Sequence, residues 1–310
     1  MTIKRKVIIL TGGNSGLGYE ALKQFLTHQT PYHIILPVRN PTSAQPTFSE
    51  LEVPKQHIVE STKLDLASFD SVWTFVSWFL QKGLRLHILI LNAGVVFTEL
   101  GKTADDYERT FQINHLSTFL LAQLLLPHLL ISGPGSRIVF VNSALAGRGE
   151  GPKLEVDNLD GSKKYDGMLF YRNSKLIQML CAYHLDKILE KEVVKVQGEG
   201  GKIEEKRKVT VVTLDPGFVP STNLYRGYHW FLKFLMRSFV PFTRTPQQGG
   251  TVIVKSSISP TLENRNASWV NEYCGIARSS DESYDEEKQQ YWWDLTCDIV
   301  GLKDKKSDHS

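Results

Sequence analysis

Val7-Ile8-Ile9-Leu10-Thr11-Gly12-Gly13-Asn14-Ser15-Gly16-Leu17-Gly18 is the stretch on which the fold turns. Val7 to Leu10 is uninterruptedly apolar, which suits a strand buried on both faces. A glycine-rich turn follows, then Leu17, Ala21, Leu22, Phe25 and Leu26 recur at helical spacing. Such a turn lets backbone approach a ligand closely and aims a helix N-terminus at an anion. A plain tight turn would use the same glycines. The order of buried strand, turn and amphipathic helix points instead to the pyrophosphate of a dinucleotide.

Working outward, His33 to Val38 is a second strand that ends in Arg39-Asn40. An acid at this place would hold a free ribose 2′-hydroxyl, whereas a cation suits a 2′-phosphate. Arg39 thus favours NADP over NAD, with a solvated surface arginine as the alternative. Pro41 to Pro54 reads as a loop, being rich in Pro, Ser and Thr. Ile58 to Leu64 is a third strand followed by Asp65. Ser68 or Asp70 can cap a helix through Val72, Phe75, Val76 and Phe79. Leu86 to Leu91 is a fourth strand ending in the small-residue turn Asn92-Ala93-Gly94, again at a strand's carboxyl end where ligands bind. Thr103 to Ile131 reads as one helix, apolar on more than one face after Phe119 and so packed on both the sheet and another helix. Asn114 lies within it, as a helix-bending residue or an active-site anchor, because a buried amide needs partners.

Ile138 to Val141 is a fifth strand, ended by Asn142-Ser143; a glycine-rich loop from Ala144 to Gly167 follows. The next helix carries Tyr171-Arg172-Asn173-Ser174-Lys175 and runs to about residue 192, with Leu176, Met179, Leu180 and Tyr183 on one stripe. Tyr171 and Lys175 lie one turn apart on one face. An ammonium beside a phenol favours the phenolate and makes a proton donor usable near neutrality. A core tyrosine and a surface lysine would leave the same trace. Lys191 to Lys208 mixes Lys, Glu and Gly and reads as a solvated, mobile excursion. Val209 to Leu214 is a sixth strand, ending in Asp215-Pro216-Gly217. Residues 226–242 are aromatic and apolar around His229, Lys233 and Arg237. They suit a lid over an apolar pocket, a shallow membrane contact, or a helix packed on the core. Thr245-Pro246 starts a helix, Trp269 to Tyr273 is a last strand, and Asp285 to Leu302 a C-terminal helix with Tyr291, Trp292, Leu295 and Ile299 inward.

The chain has 310 residues, 41% hydrophobic and 22% charged, an ordinary globular composition. A net charge of +3 gives no reason for a nucleic-acid partner. No apolar run is long enough for a transmembrane span, and the N-terminus lacks a signal-peptide core. Cys181, Cys274 and Cys297 form neither a disulfide framework nor a metal-ligand pattern, so no metal is expected and a cytoplasmic setting is. Strands alternate with helices without repeats. The expected fold is a single doubly wound α/β Rossmann domain over residues 1–302, with a parallel sheet and helices on both faces. It would carry a charged loop at about 191–208, a lid-like insertion at about 218–245 and a frayed polar tail at 303–310.

In combination, these residues resemble the short-chain dehydrogenase/reductase family. The motifs are Thr11-Gly12-x-x-x-Gly16-x-Gly18, Asp65, Asn92-Ala93-Gly94, Asn114, Ser143, Tyr171-x-x-x-Lys175 and Pro216-Gly217. Val38-Arg39-Asn40, Asn114-His115-Leu116, Thr245-Pro246-Gln247-Gln248-Gly249 and Trp293-Asp294-Leu295-Thr296-Cys297-Asp298 are similar to its retinol dehydrogenase-like branch. The resemblance implies that Tyr171 is the general acid/base, that Lys175 lowers its pKa and holds the nicotinamide ribose, and that Ser143 bonds the substrate oxygen. It implies that Asn114 kinks its helix and carries a proton-relay water. Gly12, Asn14, Ser15, Gly16, Leu17 and Gly18 would take the pyrophosphate side. Arg39, Asp65, Leu66, Asn92, Ala93 and Gly94 would take the adenosine side, with Pro216, Gly217 and Val219 completing the site.

Three positions depart from the branch. The membrane anchor common in retinol dehydrogenases does not precede the first strand, which speaks against a retinoid. Phe218 stands where light-driven protochlorophyllide reductases have a cysteine. Asn142 replaces a frequent serine and is expected to matter little. The resulting expectation is an NADP-dependent oxidoreductase working between NADPH and a lipophilic ketone, aldehyde or alcohol. The rivals are a non-catalytic dinucleotide-binding protein on the same fold and a biosynthetic reductase of an imine or cyclisation substrate. A peripheral membrane contact and a homo-oligomer are left open.

Overall fold

A computed structural model describes residues 3–147, 155–197, 203–221, 224 and 243–302. In chain order the elements are β1 (Lys6–Leu10), α1 (Gly16–Leu26), β2 (Tyr32–Val38), α2 (Pro41–Ser49), β3 (Ile58–Lys63), α3 (Phe69–Gln81) and β4 (Leu86–Leu91). Then follow α4 (Arg109–Ser132), β5 (Ser136–Val141), α5 (Gly167–Leu189), β6 (Val193–Gln197), β7 (Ile203–Arg207) and β8 (Val209–Leu214). The chain closes with α6 (Pro246–Ile258), β9 (Ser268–Val270), β10 (Ile276–Ala277) and α7 (Glu286–Ile299).

Among the described residues, eight strands form one sheet in the order β10-β9-β8-β5-β4-β1-β2-β3. All its pairings are parallel except β9–β10, so one edge departs from the all-parallel expectation. Side chains alternate across a strand, and here both alternations are apolar. Val7 and Ile9, Leu89 and Leu91, and Ile138 and Phe140 enter one core with α3, α4, α5 and α7. Ile8 and Leu10, Ile88 and Ile90, and Val139 and Val141 enter the other with α1 and α6. Each fully buried Ile or Leu contributes roughly 1.5–3 kcal/mol. The chain winds from β1 to β2 and β3 on one side, then crosses to β4, β5 and β8 on the other. The strand order therefore reverses between β1 and β4, and their carboxyl ends open a crevice there.

Four sequence expectations are corrected. Residues 41–49 are helical rather than a loop: Asn40 Oδ1 accepts the Ser43 N–H at 3.2 Å and Pro41 sits at the first helical position. Cap chemistry outweighs the poor propensity of Pro, Ser and Thr. The helix expected from Thr103 begins at Arg109. Before it the chain doubles back, with Thr103 N–H bonded to the Tyr107 carbonyl at 2.9 Å, and the Glu108 carboxylate caps Phe111 N–H. Much of residues 191–208 is an antiparallel hairpin, β6 on β7, rather than a loose excursion. Its base is pinned because Arg207 pairs with buried Asp186 of α5 at 2.9 Å. Finally, Tyr291 faces outward on α7, whose buried residues are Gln289, Trp292 and Thr296. The expectations for the aromatic segment 226–242 and the tail 303–310 fall outside the described residues.

Among the described residues one helix, Arg109–Ser132, is long and apolar enough to cross a membrane by length and composition. Here it lies against β4, β5 and α3, with more than half of its apolar window buried.

Candidate active site

The crevice is built first by the Thr11–Gly18 turn. Gly12 and Gly16 have φ of +66° and +55°, a region open to glycine at little cost. Gly18 is needed for space: a β-carbon there would lie 2.3 Å from the Gly12 carbonyl oxygen. Ser15 is the N-cap of α1 in an extended conformation and makes no side-chain cap bond, so the first N–H groups of α1 face the turn. The β4 end is stapled to this turn. Asn92 Nδ2 donates to the carbonyls of Thr11 at 2.8 Å and Gly12 at 3.2 Å. Thr11 Oγ1 accepts from the backbone N–H of Asn92 and Ala93. The Asn92 amide is thus spent on shaping the turn. The glycines, the exposed Asn14 and the helix terminus form a cradle that fits a dinucleotide pyrophosphate.

Asn114 lies in a π-helical turn, Gln112–Leu116, inside α4. The wider turn offsets the helix and turns the Asn114 side chain toward the β4 end. Its Oδ1 accepts the Val95 N–H at 2.8 Å and its Nδ2 donates to the Val95 carbonyl at 2.9 Å and to Ser174 Oγ at 3.1 Å. Asn114 is therefore both a bend and an anchor, joining the turn after Gly94 to the helix of Tyr171.

Asp166 caps α5 by accepting from Met168 and Leu169 N–H, and Tyr171 and Lys175 then emerge one turn apart, both buried. Lys175 Nζ donates to the Val141 carbonyl at the end of β5, at 2.8 Å. A β-carbon on Gly94 would lie 3.6 Å from both Lys175 Nζ and Asn114 Oδ1, so the three residues share one wall. Burial pushes the Lys175 ammonium down to about 8. Burial, and next the Lys175 charge, hold the neighbouring His115 neutral, down to about 3. Ser143 stands just beyond β5, with its Oγ accepting the Leu145 N–H at 3.2 Å. Tyr171 packs with Val96, flanked by Leu145, Met168 and Leu224.

Arg39 is exposed just past the end of β2. Asp65 Oδ1 accepts the Ala67 N–H at 3.0 Å in the turn after β3, while the Leu66 side chain belongs to the core. Gly217 has φ of +81°, its N–H held by Asp215 Oδ1 at 3.0 Å, and Val219 is buried beyond it. Thus Gly12, Gly18, Asn92 and Ala93 gather around the turn, and the next residue, Gly94, adjoins Asn114 and Lys175.

Sequence reasoning passed over Thr11, Ser174 and Gln178 as site residues, and set Asn142 aside. All four are buried and bonded into the site. The legible signal was a polar residue at a position whose neighbours in the pattern are buried.

The short chain dehydrogenase family model matches residues 6–154. The chain is 33% identical to human polyprenol dehydrogenase over 306 residues, covering 96% of this chain and 86% of that one. To human retinol dehydrogenase 11 it is 32% identical, with coverage of 96% and 86%. Among solved structures, the Pseudomonas aeruginosa RhlG/NADP active-site complex superposes with a TM-score of 0.64 at 17% identity, covering 86% of this chain and 94% of that one. That likeness shows the fold alone.

Proposed function

The chain belongs to the short-chain dehydrogenase family, in its retinol dehydrogenase-like branch, and on that premise we propose that it is an NADP-dependent oxidoreductase acting on lipophilic carbonyls and the matching alcohols. The observation that carries the reading is Lys175. A lysine only 3% exposed, with its ammonium on a strand-end carbonyl and a tyrosine one turn before it, is costly to keep as mere packing. Bound in the crevice, the cofactor would supply or take the hydride. The chain's own part is the proton and the geometry. Tyr171 gives its phenolic proton to the carbonyl oxygen as that oxygen gains charge, and the ammonium of Lys175 stabilises the phenolate left behind. Ser143 Oγ bonds the same oxygen and orients it.

Arg39 at the β2 end supports a 2′-phosphate, which a guanidinium binds with two charge-assisted bonds. Val96, Leu145, Met168 and Leu224 around Tyr171 support an apolar substrate and a dry reacting centre. Residues 1–302 act as one domain in this reading. The three free cysteines suit a reducing compartment such as the cytoplasm.

The test is NADPH consumption with a series of aldehydes and ketones of growing alkyl length. The kcat/KM should climb with chain length, by roughly 0.8 kcal/mol per buried methylene. Tyr171→Phe should lower it by ~10²–10⁴-fold while NADPH still binds. Full turnover in Tyr171→Phe would remove the tyrosine from its role.

A further inference from the structure

We propose that Gln178, acting through Asn142, is a positioning residue for this reaction, holding the π turn of Asn114, Lys175 and Ser143 in one register. The inference rests on the functional reading above and adds two residues to which that reading gives no role. Gln178 lies one turn after Lys175 and is 2% exposed; Asn142 ends β5 and is 3% exposed. Gln178 Nε2 donates to the backbone carbonyl of Asn114 at 2.7 Å. Gln178 Oε1 accepts from Asn142 Nδ2 at 3.3 Å, and that same Nδ2 donates to the Lys175 carbonyl at 2.8 Å. Asn142 Oδ1 accepts the N–H of Ser143 at 2.8 Å.

The chain of bonds has a single consistent sense. A carbonyl only accepts and a backbone N–H only donates, so Asn114 and Ser143 fix the two ends. Both amides between them are then oriented without a choice. Except at the half-buried Ser143 end, the bonds along it are buried, where a lost partner is most damaging. The Lys175 residue is gripped twice by the end of β5, through its ammonium at Val141 and its carbonyl at Asn142. The Asn114 carbonyl, in a π turn whose ladder is already loosened, is gripped by Gln178. Removing the Gln178 amide leaves the π turn bonded to α5 through the Asn114 side chain at Ser174 but no longer through the Asn114 backbone, and leaves Asn142 able to turn away from Ser143.

Two substitutions test this in the full-length protein. Gln178→Met keeps the volume but neither donates nor accepts. Its kcat should fall on the order of 10²-fold, as for misplaced reacting groups, a far larger change than in the Kd for NADPH, and the pH profile of kcat should be displaced. Gln178→Glu, while protonated, can donate to Asn114 and accept from Asn142; ionised, it has no donor. Its turnover should therefore fall as pH rises through the ionisation of that carboxyl, which burial raises, and recover on acidification. A spectrum of the 15Nζ lysine resonances, taken without substrate, should show the Lys175 signal moved in Gln178→Met. The inference is overturned if the methionine and glutamate variants keep the parent's kcat and pH profile and only melt earlier, or if the Lys175 signal stays in place. A parent protein that consumes no NADPH with any carbonyl counts against the functional reading, while the lysine signal still decides for or against the network.

Discussion

Lys175 is a charged group that the fold holds where water would normally be required. Its pKa is lowered from 10.5 to about 8 by burial. The unfolded chain therefore binds more protons than the native state between about pH 8 and 10.5. Stability must rise with pH across that window, and the full penalty, on the order of 3 kcal/mol, is present below it. Lys175→Met should remove both the penalty and the slope. In urea, the ligand-free variant should unfold at a higher midpoint than the parent at pH 7, the two should converge near pH 10, and the variant should lack turnover. This is the stability that an active site gives up for function. Arg39 is the other residue to which the proposed function gives an electrostatic role. Arg39→Asp should reverse the preference for NADPH over NADH, by about 1.5–3 kcal/mol if one charge-assisted phosphate contact is lost. Equal kcat/KM for the two cofactors in the parent would show that Arg39 does not read the phosphate.

At the scale of elements, the position of α1 depends on α6. Thr245 and Gln248 form a capping box and Pro246 occupies the first turn, so the start of α6 is set locally. Gly249 and Gly250 then let α6 meet α1 almost backbone to backbone. A β-carbon on Gly250 would lie 2.9 Å from Ala21 N, and one on Gly249 would lie 2.5 Å from Leu17 Cδ2. The contact sits on the first turns of the helix whose N-terminus faces the proposed pyrophosphate. Gly250→Val should cost about 1–3 kcal/mol by overpacking and should also weaken NADPH binding, because α1 has to shift. Thermal unfolding with a fluorescence titration of NADPH separates the two effects. Lost stability with unchanged affinity would mean that the glycines serve packing alone.

Across the whole molecule, α7 closes the core face that α4 and α5 would otherwise leave open. Trp292 is buried there, and Trp293 meets Phe119 edge to face at 4.9 Å. Thr296 Oγ1 donates to the Trp292 carbonyl at 2.6 Å and so accepts from His115 Nε2 at 2.9 Å. Through His115, next in chain to Asn114, the last helix reaches the π turn of the site. Trp292→Ala should cost about 3–5 kcal/mol, with turnover lost at a lower temperature than in the parent. A melting temperature within a degree of the parent's would show that α7 is only loosely applied to the core.

Local chemistry determined the parts that repeat. The apolar runs of β1, β2, β4, β5 and β8 were legible because a strand covered on both faces has no polar alternation. Gly12, Gly16 and Gly18 were legible because only glycine tolerates their backbone and spacing, and Tyr171 with Lys175 because helical geometry sets four residues on one face. Where a cap outweighed propensity, as at Asn40, or where a distant partner pinned a segment, as Asp186 does for the hairpin of Arg207, the local signal misled. Asn142 and Gln178 show the limit most plainly. Their side chains carry no chemistry of their own, and their spacing of 36 residues has no meaning in the chain. Only the packing of α5 between the end of β5 and the π turn of α4 turns two ordinary amides into a link. In that dry space an amide has no water to fall back on, and the tertiary structure alone decides which groups it must bond.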